Sequence, residues 1–169
     1  AMEQLNKDLI IAINDVKTSD VSRLIEQGAN VNTADLSGRP ALSIAIAKRS
    51  NRIAEILIKN NADVNQTINN KSVENKMTPL MLAAGNNAVD ITSMMIGKGA
   101  DIRDISGSGK TALTVAVIEN DTVIIEILIS KGVDVSQEDM EGEKPLILAI
   151  KHNNRRAIKM LLDAGANVD

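Results

Sequence analysis

The sequence predicts an all-α protein in which pairs of short helices repeat along the chain and stack into a solenoid. One pattern recurs throughout: a glycine or asparagine, then Ala or Val, then Asn or Asp, then Val or Ile, as at 28–31. Its first residue stands at positions 28, 61, 99, 132 and 165, in successive steps of 33, 38, 33 and 33. A fixed period of this length is typical of repeat architectures.

A second pattern keeps the same interval. It is a leucine that follows Ala or Pro and precedes an alanine by three positions, at Leu42, Leu80, Leu113 and Leu146. The steps between these leucines are 38, 33 and 33. The long step exceeds the other two by five (38 minus 33), and the additional positions fall between 65 and 78. Two independent markers therefore predict the same repeating unit.

The residues that begin and end helices recur with the period. Thr78 and Thr111 can accept hydrogen bonds from the free amides of a first turn, and Pro79 suits the first helical position. Apolar runs such as 53–58 predict a second helix that is too short to be stable alone. A glycine, or once Asn61, follows each run, where a left-handed residue ends a helix. Each unit therefore predicts two packed helices and a turn.

The second runs are rich in Ile, so they could also be interpreted as strands, since β-branched residues favour sheets. The caps argue against that interpretation. Successive strands would not place a helix-starting Thr-Pro and a helix-ending Gly at a fixed offset in successive units.

These residues resemble the ankyrin repeat, whose pattern has Gly-x-Thr-Pro-Leu-His-x-Ala-Ala near its start and Leu-Leu-x-x-Gly-Ala-Asp-Val-Asn near its end. The segment 77–84 is the closest copy of the first half, and 161–168 matches the second half well. The resemblance spans almost the whole chain. It implies one all-α domain, an ankyrin-type α-solenoid of five helix-turn-helix repeats with β-turn fingers before the first helices. The repeats would lie at about 1–34, 35–67, 68–105, 106–138 and 139–169.

The chain departs from the family pattern in three places. The first-helix His, which ties neighbouring repeats together by hydrogen bonds in the family, is replaced by Ser43, Met81, Thr114 and Ile147. The resemblance then implies that those bonds are lost or weakened and that stability depends on apolar packing. Lys76 replaces a finger glycine beside the insertion, which implies a remodelled finger. The first unit shows only its second half clearly, as is expected for a capping repeat with a wetter outer face.

In this family the finger tips and first helices form a concave face that binds a protein partner. The resemblance therefore implies the following partner-binding residues: Leu36, Ser37, Arg39 and Lys48 with Ala47 in the second unit; Glu74, Asn75, Met77 and Asn86 with Gly85 in the third; Ser108, Lys110, Ile118 and Glu119 with Gly107 in the fourth; and Met140, Glu141, Glu143, Lys151 and His152 in the fifth. A face of this kind predicts protein–protein interaction.

Four of these residues are apolar at positions expected to be exposed, namely Leu36, Met77, Ile118 and Met140, and such a cluster marks an interaction surface. The alternative is that they shield the bases of the fingers. The charged residues of the set would set the partner's orientation and association rate, or would only keep the surface soluble. The polar segment 66–76 forms the extended finger. A long loop on a rigid scaffold is often functional, although surface loops also lengthen at little cost.

Composition argues against several classes of function. The net charge is −3, from 19 basic and 22 acidic residues, so no broad positive field is available for phosphates. Phe, Tyr and Trp are absent, so bases have no aromatic platform for stacking. Cysteine is absent too, which removes disulfides, thiolate catalysis and thiolate metal sites. No apolar run approaches the ~20 residues of a membrane span. We expect no nucleic-acid partner and no membrane span.

Ligand and catalytic motifs are weak. His152 is the sole imidazole, so no His pair can hold a metal. The segment 107–111, Gly-Ser-Gly-Lys-Thr, ends like a phosphate-binding loop, but Asp104 stands where that loop needs its first glycine. The repeat pattern instead makes Gly109 a finger glycine and Thr111 a helix cap. No serine has a His and a carboxylate that the repeat geometry would place beside it. We expect no enzyme activity, no cofactor and no metal.

One aspartate per repeat, at Asp63, Asp101 and Asp134, could suggest calcium. The resemblance assigns these positions to the loop that ends the repeat, so we interpret them as turn-forming residues.

The sequence therefore predicts a monomeric protein-interaction module, a scaffold or adaptor that binds one folded protein or peptide. The inference from fold to function is by analogy. We expect a cytoplasmic location, with delivery into a host cell as the alternative. A structural spacer or assembly domain of a larger protein is the rival function, and an enzyme is third.

Overall fold

The computed structural model describes residues 1–67, 77–107 and 109–169. This part of the chain contains ten α-helices and no strand. The helices are α1 (Met2–Asn14), α2 (Thr18–Glu26), α3 (Ala41–Ala47), α4 (Asn51–Lys59), α5 (Pro79–Gly85), α6 (Val89–Gly97), α7 (Ala112–Ile118), α8 (Thr122–Ser130), α9 (Pro145–Lys151) and α10 (Arg155–Asp163). The predicted all-α fold of five helix pairs is confirmed, and the Ile-rich runs are helices rather than strands.

The helices form two layers. The odd-numbered helices pack on one another in chain order, the even-numbered helices do the same, and the two helices of each pair pack together. The core lies between the layers. The leucine of the second pattern, at positions 42, 80, 113 and 146, is at most 2% exposed in each of these four repeats. Because a single helix pair has no second face to cover these side chains, neighbouring repeats bury them.

The predicted helix starts are confirmed. The hydroxyl of Thr78 accepts from the amide of Met81 at 3.2 Å, and Pro79 is the first residue of α5. Thr111 caps α7 in the same way, and the hydroxyl of Thr114 returns the bond by accepting from the amide of Thr111 at 2.8 Å. Both bonds satisfy amides that have no partner within the helix.

The even-numbered helices end as predicted. The chain is left-handed at Gly28 (φ +101°), Asn61 (+66°), Gly99 (+92°), Gly132 (+81°) and Gly165 (+94°). Asn61 therefore adopts the same conformation as the glycines that it replaces.

A second left-handed position follows each odd-numbered helix and was not predicted. It lies at Val16, Arg49, Asn87, Asn120 and Asn153, with φ between +54° and +58°. Asparagine tolerates this region better than other residues with a side chain, but valine and arginine do not. The position was missed because its residue types differ between repeats, although its spacing follows the period.

Asparagine side chains connect the first three repeats. Two backbone amides donate to asparagine Oδ1 atoms of the preceding repeat, Asp63 to Asn32 at 2.7 Å and Asp101 to Asn65 at 2.9 Å. Within the first repeat, the amide of Asn30 donates to Oδ1 of Asn6 at 2.7 Å. These hydrogen bonds between repeats add to the apolar packing on which stability is expected to depend.

Ser43 holds one of the positions where the family has His. It is 2% exposed, and its Oγ has no hydrogen-bond partner among the described residues. We expect Ser43→Ala to leave the free energy of unfolding unchanged or to raise it by up to about 1 kcal/mol. A buried hydroxyl without a partner loses its hydrogen bonds to water on folding and forms none within the protein. Urea titration of the two proteins measures the difference.

Thr114→Ala is the matched control, since position 114 is equivalent to 43 and its hydroxyl is bonded to Thr111. We expect that change to lower the free energy of unfolding by about 1 kcal/mol. A loss greater than about 1 kcal/mol for Ser43→Ala would contradict the prediction and show that its hydroxyl has a partner in solution.

The first repeat differs from the others at its start. The helix α1 has 13 residues, whereas each of the other odd-numbered helices has 7. Positions 35–40 lie one period after positions 2–7 and form a finger in the second repeat. In the first repeat those equivalent positions are helical. Within the described ranges, no finger therefore precedes the one at 35–39.

Candidate partner-binding surface

The described fingers share one tight turn. In the first finger (35–39) the amide of Asp35 donates to the carbonyl of Arg39 at 3.0 Å, and the amide of Gly38 donates to the carbonyl of Asp35 at 2.9 Å. The third finger (106–110) and the fourth (139–143) repeat both bonds at 2.8 to 3.0 Å. The glycine of each turn is left-handed, with φ between +76° and +79°. The three turns thus place Leu36, Gly107 and Met140 at equivalent positions.

An aspartate side chain fixes the first finger from within. One oxygen of Asp35 accepts from the amides of Ser37 and Arg39, each at 2.9 Å, and the other accepts from the Arg39 guanidinium at 2.8 Å. Burial raises the pKa of Asp35, but the Arg39 amide, the Arg39 guanidinium and the Ser37 amide together hold it below its ordinary value. Asp139 accepts the equivalent two amides in the fourth finger, at 2.8 and 2.9 Å. This arrangement was not predicted, although an Asp at the start of a five-residue turn is a usable signal for it.

The finger tips present large apolar side chains to solvent. Leu36 is 106% exposed and Met140 is 73% exposed, so the predicted exposure of these two residues is confirmed. It is wrong for Met77 and Ile118, which are partly buried. Met77 packs against the core because it lies directly before Thr78, the residue that caps α5.

Neighbouring fingers touch through a glycine. A Cβ added to Gly109 of the third finger would overlap the Cβ and Cγ of Met140 and would lie 2.7 Å from the backbone nitrogen of Met140. The start of the fourth finger therefore lies directly on the glycine of the third finger. The third and fourth fingers therefore pack directly against each other.

A groove of about 570 Å³ lies beside the first finger. One wall is α1, and the other is the finger with the residues just before it. Ten residues line the groove, from α1 Glu3, Asn6, Lys7, Ile10 and Ile11, and from the opposite wall Thr33, Ala34, Asp35, Leu36 and Ser37. This is the side of the first finger on which the described part of the chain has no other finger.

A polar cleft of about 400 Å³ lies at the turns that follow α3, α5 and α7. Arg49, Asn86, Glu119 and Asp121 contribute to its walls. Asp121 is 7% exposed and accepts from the amide of Ile124 at 3.1 Å, so it caps α8. The cleft spans three repeats and carries charges of both signs.

Comparison with known families decides the identity of the fold. A family profile described as ankyrin repeats (3 copies) matches residues 80–169. The chain belongs to the ankyrin repeat family. The first three repeats have the same helix pairs, the same period and the same left-handed residues after the even-numbered helices as the rest of the chain.

Three relatives lie in much longer proteins. The chain is 32% identical over 98 residues to glycerophosphocholine phosphodiesterase gde1 of Schizosaccharomyces pombe, covering 58% of this chain and 8% of that protein. It is 35% identical over 79 residues to human neurogenic locus notch homolog protein 4, covering 47% of this chain and 4% of that protein. The match to human neurogenic locus notch homolog protein 2 is 33% over 92 residues, with coverages of 54% and 4%. The chain thus spans less than a tenth of each of these relatives.

Most of the predicted partner-binding residues with polar side chains are exposed to solvent. The exposed ones are Ser37, Arg39, Lys48, Lys110, Glu119, Glu141, Lys151 and His152, and the predicted residues Ala47 and Gly107 are exposed as well. Asn86, Gly85 and Glu143 are partly buried. The amide of Asn86 donates to the carbonyl of Ile46 at 2.8 Å, so this side chain connects two repeats. The ammonium of Lys151 binds the Glu143 carboxylate, which brings the fourth finger and the end of α9 together.

Three candidates, Glu74, Asn75 and Ser108, lie outside the described residues, as does most of the extended finger at 66–76. Gln66 is described, and its amide donates to the carbonyl of Asn32 at 3.1 Å. The start of this segment is therefore attached to the preceding repeat.

The predicted turn aspartates do form turns. A carboxylate oxygen of Asp63, Asp101 and Asp134 accepts from the amide two residues later, at 2.9, 2.8 and 2.9 Å. Within the described ranges, no group of three or more His, Cys, Asp or Glu side chains is placed to hold a metal ion. Among the helices described, none combines the length and apolar character needed to cross a bilayer.

Proposed function

We propose that this chain binds a protein partner on the surface formed by its fingers and the exposed sides of its odd-numbered helices, here called the finger face. Ankyrin repeats are protein–protein interaction modules, and the finger face is the surface that the family resemblance assigns to binding. The observation that carries the proposal is the exposure of Leu36 and Met140, at 106% and 73%, on turns that hydrogen bonds hold rigid. Large apolar side chains held rigidly in water are typical of interaction sites.

The chemistry of the finger face supports a protein rather than a nucleic acid or a small molecule. With no aromatic residue in the chain, its leucine and methionine tips are the strongest candidates for interface anchors. Four exposed charges, Lys48, Lys110, Glu119 and Glu141, form no ion pair within the part of the chain that the structure describes. Unpaired rim charges of both signs favour a partner with a complementary mixed surface and steer its association.

A pull-down with a variant that carries two added negative charges on the finger face tests the proposal. The test variant is Leu36→Asp with Met140→Glu, and both substitutions fall on exposed side chains that leave the core intact. The control variant is Val123→Glu with Leu162→Glu, which places two charges at side chains of the even-numbered layer that are 48% and 50% exposed. We avoid Met77, since a charge there would disturb the core.

Proteins retained by the native chain and by the control, but lost from the test variant, would support the finger face. Circular dichroism of each variant checks that the helices remain. Loss from the control variant alone would place binding on the even-numbered layer and refute the proposal. Equal retention by all three chains would refute it too and would favour a spacer or assembly role within a larger protein.

The relationship to gde1 adds no catalytic proposal, because it covers 8% of that phosphodiesterase. Ankyrin repeats are typically non-catalytic, and we propose a non-enzymatic scaffold or adaptor. The monomeric state and the cytoplasmic location stay predictions.

A further inference from the structure

The groove beside the first finger results from the unusual start of the first repeat. Where the second repeat forms its finger at 35–40, the equivalent residues 2–7 of the first repeat are helical. A helix that continues straight leaves open the space that a bent finger would fill. The groove of about 570 Å³ occupies that side of the first finger. The helical conformation of residues 2–7 therefore shapes one wall of the groove.

The fourth finger shows what occupies the equivalent space beside a later finger, namely the third finger. Met140 lies on Gly109 of the preceding finger, so closely that a Cβ in place of the glycine hydrogen would overlap Met140. Leu36 is equivalent to Met140, because the two are separated by one long step and two ordinary steps of the repeat. Leu36 is 106% exposed, so nothing in the described part of the chain covers it. Leu36 therefore stands where Met140 contacts a preceding finger, but no described finger lies beneath it.

The charges of the groove are already paired. The ammonium of Lys7 lies 3.5 Å from the Glu3 carboxylate, and the guanidinium of Arg39 lies 2.8 Å from the Asp35 carboxylate. The remaining apolar surface comes from Ile10, Ile11 and Ala34 together with Leu36. Ile11 is 56% exposed, although its equivalents in the later repeats are largely buried. A complementary occupant is therefore uncharged where it enters the groove.

We infer that this groove receives a tight turn of the protein partner, with a glycine of that turn beneath Leu36, in the place of a preceding finger. The partner's turn would extend the row of fingers, as a continuation of the contact between Met140 and Gly109. This inference rests on the proposed function, since the groove lies at one end of the finger face. It specifies the shape and chemistry of the partner: a glycine-containing turn without charge at its tip.

A cyclic peptide with the sequence of residues 105–111 is the probe. The peptide contains Gly109, which Met140 contacts within the protein, and so it presents the kind of turn that Leu36 is proposed to cover. The peptide is titrated into the full chain labelled at Ile and Leu methyl groups, and the methyl resonances are followed by NMR. We expect saturable shifts at Leu36, Ile10 and Ile11 and weak binding overall. The same peptide with Gly109→Val should lose these shifts.

Leu36→Asp should weaken peptide binding about tenfold or more, because it removes the apolar surface that covers the turn. Leu162→Asp is the matched control, since Leu162 is 50% exposed and lies on α10, away from the groove. It should leave the dissociation constant unchanged. Shifts confined to residues outside the groove, no shift at all, or equal binding by Leu36→Asp would each overturn the inference.

The outcomes also separate this inference from the proposed function. If the peptide leaves the groove unperturbed while the finger-face variant still loses its protein partners, the inference fails and the proposed function holds. If the peptide binds the groove but the finger-face variant retains every partner, the proposed function fails.

Discussion

Replacing Leu113 by alanine should lower the free energy of unfolding by about 2 to 5 kcal/mol. Leu113 is 1% exposed at the start of α7, which packs between α5 and α9. Removing its side chain leaves a cavity that three helices would have to close together. Because each repeat is stabilised by its neighbours, a defect in the fourth repeat weakens both of its interfaces. Denaturant titration of the native chain and the variant gives the difference.

Leu162→Ala is the control for this prediction. Its side chain is 50% exposed, so less apolar surface is lost and no closed cavity forms. We expect its effect to be about 1 kcal/mol or less. A change below about 1 kcal/mol for Leu113→Ala would mean that this leucine does not fill the interior between the helices.

Replacing Gly109 by alanine should lower the free energy of unfolding by about 2 to 5 kcal/mol, from two separate causes. Its φ is +79°, a conformation that costs a residue with a Cβ about 1 to 2 kcal/mol. The new Cβ would also overlap the Met140 side chain and approach its backbone nitrogen to 2.7 Å. The Cγ of Met140 could rotate away, but its Cβ and backbone nitrogen could move only with the backbone of the finger.

Gly142→Ala separates the two causes. Gly142 has nearly the same φ, +76°, but a Cβ there would meet nothing within 4 Å. We expect only the backbone cost of about 1 to 2 kcal/mol for that change. Thermal or urea unfolding of both variants measures the difference between them, which reports the contact between fingers. Equal losses for the two glycines would show that the third and fourth fingers do not touch in solution.

Local signals in the sequence predicted the helices well. Thr78, Thr111 and Pro79 start helices, and Asn61 ends one, because each acts on amides or dihedral angles within a few residues of itself. The spacing of Leu42, Leu80, Leu113 and Leu146 predicted the repeating unit, and the structure shows that all four are buried.

The candidate site was predicted less completely. Exposure at Leu36 and Met140 followed from their places at finger tips, but Met77 is partly buried because it packs against the core. Asn86, expected to face a partner, instead donates to the carbonyl of Ile46 in the neighbouring repeat. Such contacts join residues that are about one period apart, and the pattern of a single repeat does not contain them.

The sequence by itself determined the class of fold, the number of helix pairs and the positions of caps and turns, since short-range hydrogen bonds and steric limits decide these. Only the tertiary structure decided which side chains remain exposed, how the fingers pack and where a groove opens. The groove exists because residues 2–7 stay helical beside a finger that lies one period later in the chain. Whether residues 2–7 form a helix or a finger depends on how the first repeat packs on the second, because the free energy of either conformation includes the surface that the second repeat buries.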